Sequence, residues 1–365
     1  MRSIPTRLLK PGMRLAKKVY GSNGEVYLNA GVELTSRYVG RLQELGFLHV
    51  HIEDKFLDGI EVKDVIADET RAQAVRQVKN LLQSASSPSA RVLIHQPDLT
   101  RTVDDIIDQL LDNTFSMLNL TEIRAEGEYL FHHSVRVAVI SLMTGMTLGY
   151  GRDRLFDLGM GALLHDVGKV KVPKEILDKP DGLTQEEFAE VKKHTVYGRD
   201  MLRNHPEAAE VAYAHHERYN GEGYPRGLER HDIHIFAQLT GLADVFDALT
   251  SDRSYRRAQP PCNALELLSG SGNWWFEGRL VQAFMHNIAA YPTGTLLELN
   301  SGEVGIVIDT PKGHPFFPNV RVLLGPNRAK VTPYDLSTLQ NNLWVTRAMA
   351  EDEGHQFLTE LSLVN

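Results

Sequence analysis

The chain has 365 residues, 42% hydrophobic and 24% charged, which excludes disordered, collagen-like and silk-like chains and leaves room for two or three domains with buried cores. With 39 Lys plus Arg against 47 Asp plus Glu, the net charge of -8 argues against a nucleic-acid polymer or an anionic membrane as partner. The single cysteine, Cys262, excludes an internal disulfide and a thiolate zinc module. No run of about 18 apolar residues predicts a membrane span. Met1 to Tyr20 carries six basic residues but no signal-peptide core, so a cytoplasmic location is expected.

In chain order, residues 1–65 read as a small mixed α/β domain. Val26–Leu28 predicts a short strand that ends at the Asn29-Ala30-Gly31 turn. Thr35 caps a helix with Tyr38, Leu42 and Leu45 on one face and Gly46 as its stop. Phe47–Ile52 alternates like a strand, and its His49 and His51 share a face that reads as solvated. Residues 66–124 read as a helical linker: a polar helix over 67–83, linker composition over 84–89, and an apolar-faced helix over 104–120.

Residues 125–290 are helical nearly throughout, with helices over 128–148, 153–165, 184–204, 207–216 and 233–249. Thr184 with Glu187 forms a capping box. After Pro292 the period changes to that of strands, so 291–365 reads as a β-rich extension. Leu296–Leu299 and Val304–Ile308 flank a hairpin turn, and Val320–Leu324 is a third strand. The pattern assigns nothing after Asn341. Trp274-Trp275-Phe276 is either core or a partner surface, and a homodimer stays open.

The chemistry lies in the histidines. Nine of the 15 fall between His132 and His234. His133 sits early in an apolar helix, His165-Asp166 ends a helix, His194 lies within one, and His215-His216 ends another. Asp244 lies inside a strongly apolar helix, where an unpaired carboxylate is costly and wants a cation. Jointly these give five imidazoles and two carboxylates, a count that suits two divalent metals sharing a bridging carboxylate. Nitrogen and oxygen donors suit iron, manganese, nickel or zinc. Such a pair can ionise a bridging water and neutralise a phosphoryl oxygen, which points to phosphoester hydrolysis. Lys169, Arg253, Arg256 and Arg257 are candidate anion clamps. The Tyr219–Pro225 loop has glycines that allow close backbone approach to a ligand. No P-loop motif is present.

These residues resemble a known family. The His…His-Asp pattern with a later Asp is similar to the HD superfamily of metal phosphohydrolases. Leu164–Lys169, His215–Pro225 and Ala243–Arg253 resemble the signatures of its HD-GYP subgroup, over about residues 125–290. The resemblance implies a mainly α fold, an HD-type helical bundle carrying the small mixed N-terminal domain and the short β C-terminal extension. It implies hydrolysis of cyclic di-GMP to pGpG and/or GMP by a metal-bridging hydroxide. By the same resemblance His133, His165, Asp166, His194, His215, His216 and Asp244 hold two metals, with iron favoured and Asp166 bridging. His194, His215 and His216 would hold one metal, and His133, His165 and Asp244 the other.

Asp166 and Lys169 are the implied catalytic residues. Lys169, Arg253, Tyr224, Gly223 and Asp247 are implied around the substrate, with Asp247 orienting Lys169, Arg253 or a ligand. The loop also implies a signalling partner such as a diguanylate cyclase. Asn220 stands where the family has Asp; it can keep the turn but loses a charge. Tyr129 stands where some members have a carboxylate for a third metal, and Glu128 is one residue off, so two metals are expected. A silent cyclic di-GMP receptor and a hydrolase of another nucleotide are the alternatives. Residues 9–16 with Val19 resemble a small domain found before some HD-GYP domains.

Overall fold

The structure, a computed structural model, describes residues 1–21, 24–60, 64–85, 97–114, 117–118, 129–179, 182–251 and 258–364. The elements in order are β1 (Arg2–Pro5), β2 (Val19–Tyr20), β3 (Val26–Leu28), α1 (Ser36–Glu44) and β4 (His49–Ile52). The helices α2 (Asp68–Ala85), α3 (Pro97–Asp112), α4 (Tyr129–Thr147), α5 (Arg152–Leu164), α6 (Lys174–Leu177) and α7 (Gln185–Lys192) follow. Then come α8 (His194–Met201), α9 (Pro206–Ala214), α10 (Ile235–Thr250), α11 (Pro261–Gly270) and α12 (Gly278–Met285). The chain ends with β5 (Leu296–Leu299), β6 (Val304–Asp309), β7 (Asn319–Leu324), β8 (Lys330–Ser337), β9 (Val345–Ala348) and α13 (Glu351–Val364). The fold is mainly α with two small β-containing parts, in line with the sequence reading.

Two compact units group the chain differently from the linear division expected above. One comprises residues 1–64, 115–127 and 288–365; the other comprises 65–114 and 128–287. In the first unit, β4 runs between β1 on one edge and the Arg14–Ala16 segment on the other. Ile4, Leu15, Leu42, Phe47 and Val50 form its core. Thr35 caps α1 by accepting from the Tyr38 N–H, while the Tyr38 ring stays exposed. The solvated face expected for His49 and His51 is corrected at His51, which is 3% exposed. A strand paired on both edges has little solvent to offer it.

The expected hairpin forms with Leu296 opposite Ile306, inside a five-stranded antiparallel sheet of order β8-β7-β6-β5-β9. Leu358 of α13 joins Leu296, Ile306 and Leu323 in a core. Strand β8 escaped prediction because it is a mostly exposed, Pro-containing edge strand with no apolar alternation.

In the second unit α4 is the hub, packed by α2, α5, α10 and α12. The helices expected over the linker are therefore parts of this bundle. α3 starts at Pro97, well before the expected position. The single helix expected over 184–204 is two, α7 and α8, which meet at Lys193. The Thr184–Glu187 capping box is fully formed. In the aromatic triplet, Phe276 is core at 1% exposed whereas Trp274 is 57% exposed.

Candidate metal centre

Five helix segments deliver the candidate ligands to one place. His133 lies near the start of α4, and His165 caps α5 with Asp166 next to it. His194 opens α8, His215 caps α9 with His216 beside it, and Asp244 lies within α10. Their donor atoms form two sets, Asp166 with His194, His215 and His216, and His133 with His165 and Asp244, each set lying within 4.8 Å. His132 belongs to neither set.

Asp166 stands between the two sets. Its Oδ2 is 3.6 Å from His133 Nε2 and 3.3 Å from His165 Nε2. Its Oδ1 is 3.5 Å from His194 Nε2 and 3.8 Å from His215 Nε2. Asp244 reaches His133 Nε2 at 3.2 Å through Oδ1 and His216 Nδ1 at 3.9 Å through Oδ2.

Local structure sets the tautomers. The last carbonyls of a helical turn lack N–H partners, so an imidazole at that end can donate to them. His165 Nδ1–H donates to the Ala162 carbonyl at 2.7 Å and His194 Nδ1–H to that of Val191 at 2.7 Å. His215 Nδ1–H is shared between the Val211 and Ala212 carbonyls at 3.1 Å each. His133 Nδ1–H donates to Asp247 Oδ2 at 2.6 Å. In all four the Nε2 lone pair is turned toward Asp166, the arrangement a metal-binding histidine requires.

The protonation states of the set, His133 apart, suit cations as well. Burial pushes His194 down to about 4, and burial with neighbouring imidazoles keeps His215 and His216 well below the usual range. Burial opposes charge on Asp166 and Asp244. Lys169 and His165 outweigh it at Asp166, and His133 does so at Asp244, so both carboxyls stay well below the carboxylate range. Burial also opposes charge on His133, but hydrogen bonds to Asp244 and Asp247 raise it overall. Among the described residues, the buried Asp166 Oδ1 and His165 Nε2 have no hydrogen-bond partner. Unpartnered buried polar atoms are costly, and this donor set is that of divalent transition metals. The residues present fit such a pair of ions.

Gly168 brings the Val167–Lys171 turn against α8; a Cβ there would lie 1.9 Å from the His194 carbonyl oxygen. Lys169 Nζ pairs with Asp166 Oδ2. Asp247, expected around the substrate and orienting Lys169, Arg253 or a ligand, is fully buried behind a candidate ligand: it accepts from His133 and pairs with Arg136, whose Nη2 lies 3.0 Å from it. Arg136 also donates to Ser251 Oγ at 2.5 Å. Sequence reasoning missed Arg136. Its signal is a charge within the apolar α4, three residues after His133 on the same face. Arg253, Arg256, Arg257 and Glu128 lie outside the described residues, as does the Tyr129 side chain on which the third-metal expectation turns.

The glycine-rich loop folds back on its own helix end. Buried Glu217 accepts from the Arg226 N–H at 2.8 Å and the Leu228 N–H at 2.9 Å. At Gly223 a Cβ would lie 2.3 Å from the Arg218 nitrogen, so the residue must be glycine. This seats the Tyr224 ring on His216, with centroids 4.6 Å apart and planes at 25°. Asn220 does keep the turn: its Oδ1 accepts from the Glu222 N–H at 3.2 Å. Its Nδ2 donates to the Glu222 carboxylate at 2.6 Å, where an Asp would repel it.

Comparison with known proteins gives three findings. A family model described as an HD domain matches residues 117–280. A cyclic di-GMP phosphodiesterase of Pseudomonas aeruginosa is 33% identical over 72% of this chain and 63% of its own length. Another of Thermotoga maritima is 32% identical over 51% of this chain and 53% of its own. The chain thus spans between half and two thirds of these relatives. Among solved structures, the HDG"Y"P protein Bd1817 of Bdellovibrio bacteriovorus aligns with a TM-score of 0.48 at 18% identity, covering 77% of this chain and 97% of that one.

Proposed function

We propose that the chain is a metal-dependent phosphodiesterase of the HD-GYP family of HD-domain proteins, hydrolysing cyclic di-GMP to pGpG and/or GMP. The observation that carries this reading is Asp166, whose two oxygens face two separate sets of imidazole nitrogens. His194, His215, His216 and Asp166 would hold one ion, and His133, His165, Asp244 and Asp166 the other, with iron favoured. When bound, such a pair supplies a water ionised near neutral pH and neutralises charge on the phosphoryl group.

The chain's own residues do the rest. Asp247 and the backbone carbonyls hold the imidazoles in the tautomer that presents Nε2. Lys169 keeps Asp166 ionised and offers its ammonium to phosphate. Tyr224 walls the site beside His216. The Arg253 guanidinium would neutralise phosphate charge together with Lys169. No helix among the described residues is long and apolar enough to cross a membrane. A cytoplasmic location, a homodimer and a signalling partner at the loop belong to the same proposal.

The test is purified protein with its metals quantified, challenged with cyclic di-GMP, 3′3′-cGAMP, pGpG and GMP, with products separated. We expect cyclic di-GMP to be consumed, chelation to stop it, and Asp166→Ala to lack it. Tight binding without hydrolysis would select a receptor. Full turnover by Asp166→Ala would overturn the mechanism.

A further inference from the structure

The glycine-rich loop does not end at Tyr224. Behind it stands α7, whose Phe188 ring is 44% exposed and meets the Tyr224 ring edge-on at a centroid distance of 6.1 Å. Lys192, one turn further along α7, holds its Nζ 4.7 Å from the Phe188 centroid and 5.1 Å from the Tyr224 centroid. The acid nearest in sequence, Glu190, is taken by Lys193 instead. Lys192 thus presents an ammonium carried on two aromatic faces, with no carboxylate paired to it among the described residues.

The chain of ring contacts runs from His216 in the metal set to Tyr224 and on to Phe188. An exposed aromatic ring beside an ammonium matches a flat heteroaromatic ring joined to a phosphate. Resting on the reading given above, we infer that Phe188 and Lys192 form a specificity subsite beside Tyr224. Phe188 stacks on one guanine of the dinucleotide, and Lys192 contacts the phosphate that is not being cleaved. Binding there anchors a remote part of the substrate and places its other phosphate at the metal centre.

The experiment measures KM and kcat for cyclic di-GMP, and the Kd of pGpG by calorimetry, in wild type and in Phe188→Ala, Phe188→Tyr, Lys192→Met and Lys192→Arg. Metal content and thermal melting are measured in parallel. We expect Phe188→Ala and Lys192→Met each to raise KM and the pGpG Kd about tenfold, with kcat changed less than about threefold. Tyr and Arg should restore most of the affinity. A fall in kcat at constant KM and Kd, or lost metal, would assign these residues to support of the neighbouring ligands and overturn the subsite. Unchanged KM and Kd would overturn it as well. A wild type that binds pGpG but turns over nothing overturns the proposed function, while the ratio of pGpG Kd values still decides the subsite.

Discussion

Replacing Asp247 with Asn keeps the shape of the side chain and removes only its charge. In the native arrangement the carboxylate serves two partners, the His133 Nδ1–H at 2.6 Å and the Arg136 guanidinium, with Nη2 at 3.0 Å. An amide oxygen can still accept from one of them, but the amide N–H₂ must then face a donor. Arg136 is 8% exposed and Asp247 fully buried, so the guanidinium would lose the charge of Asp247 away from water. Breaking such a pair costs about 3–5 kcal/mol of stability. Loosening the carboxylate behind a ligand histidine typically costs about 10–100-fold in metal affinity. The two effects separate in the double variant Arg136→Met with Asp247→Asn. Removing the stranded charge should return much of the stability, whereas His133 still lacks its carboxylate and metal affinity stays low. Urea unfolding of the metal-free protein reads the first effect, and competition with a chelating dye reads the second. If Asp247→Asn bound metal as tightly as wild type, or if affinity returned together with stability in the double variant, Asp247 would serve packing alone.

Three further outcomes follow from the geometry. Gly168→Ala would push α8 away from the Asp166 turn, because the new methyl falls on the His194 carbonyl. We expect a loss of about 3 kcal/mol in urea unfolding and a second ion that no longer binds; a normal midpoint with two ions would refute the close approach. Lys169→Met should retain both ions yet lower kcat about 100-fold, since the ammonium beside Asp166 is gone. Undiminished turnover would remove Lys169 from the mechanism. His51 is held down to about 3 from 6.5 by burial, with Lys17 adding to the effect. Its folded form therefore stays neutral while the unfolded chain takes up a proton below 6.5. The resulting stability is complete above that pH and is lost as the pH falls toward 3, at about 1.4 kcal/mol per pH unit. His51→Leu should flatten this dependence between pH 7 and about 5, and an unchanged slope would refute it.

The sequence reading was most successful where chemistry and helical period coincided. Asp244 stands inside the strongly apolar α10, so its presence there demanded a partner. The capping box at Thr184 and the hairpin at residues 300–303 were legible because their signals are local. What failed was long-range. His51 read as surface because its neighbours on the paired strands lie far away in sequence. The break at Lys193 has no glycine or proline to mark it, and it puts His194 at a helix start, where its Nδ1 can reach the Val191 carbonyl. Arg136, which shares Asp247 with His133, went unread because it and Asp247 stand more than a hundred positions apart in sequence.

Helix ends also separate ligand from bystander among the histidines. His165 and His215 are the residues that close α5 and α9, and His194 follows directly on the end of α7. In these places a carbonyl of the preceding turn is short of a donor, so the backbone itself fixes Nδ1–H and leaves Nε2 for a cation. His133 is the exception, lying inside α4, where its Nδ1–H donates to Asp247 rather than to a backbone carbonyl. It therefore needs a side chain to do what the backbone does for the others, and Asp247 with Arg136 supplies it. The buried carboxylate and guanidinium thus follow from where His133 sits on its helix. A fourth ligand placed at a helix end would have needed neither.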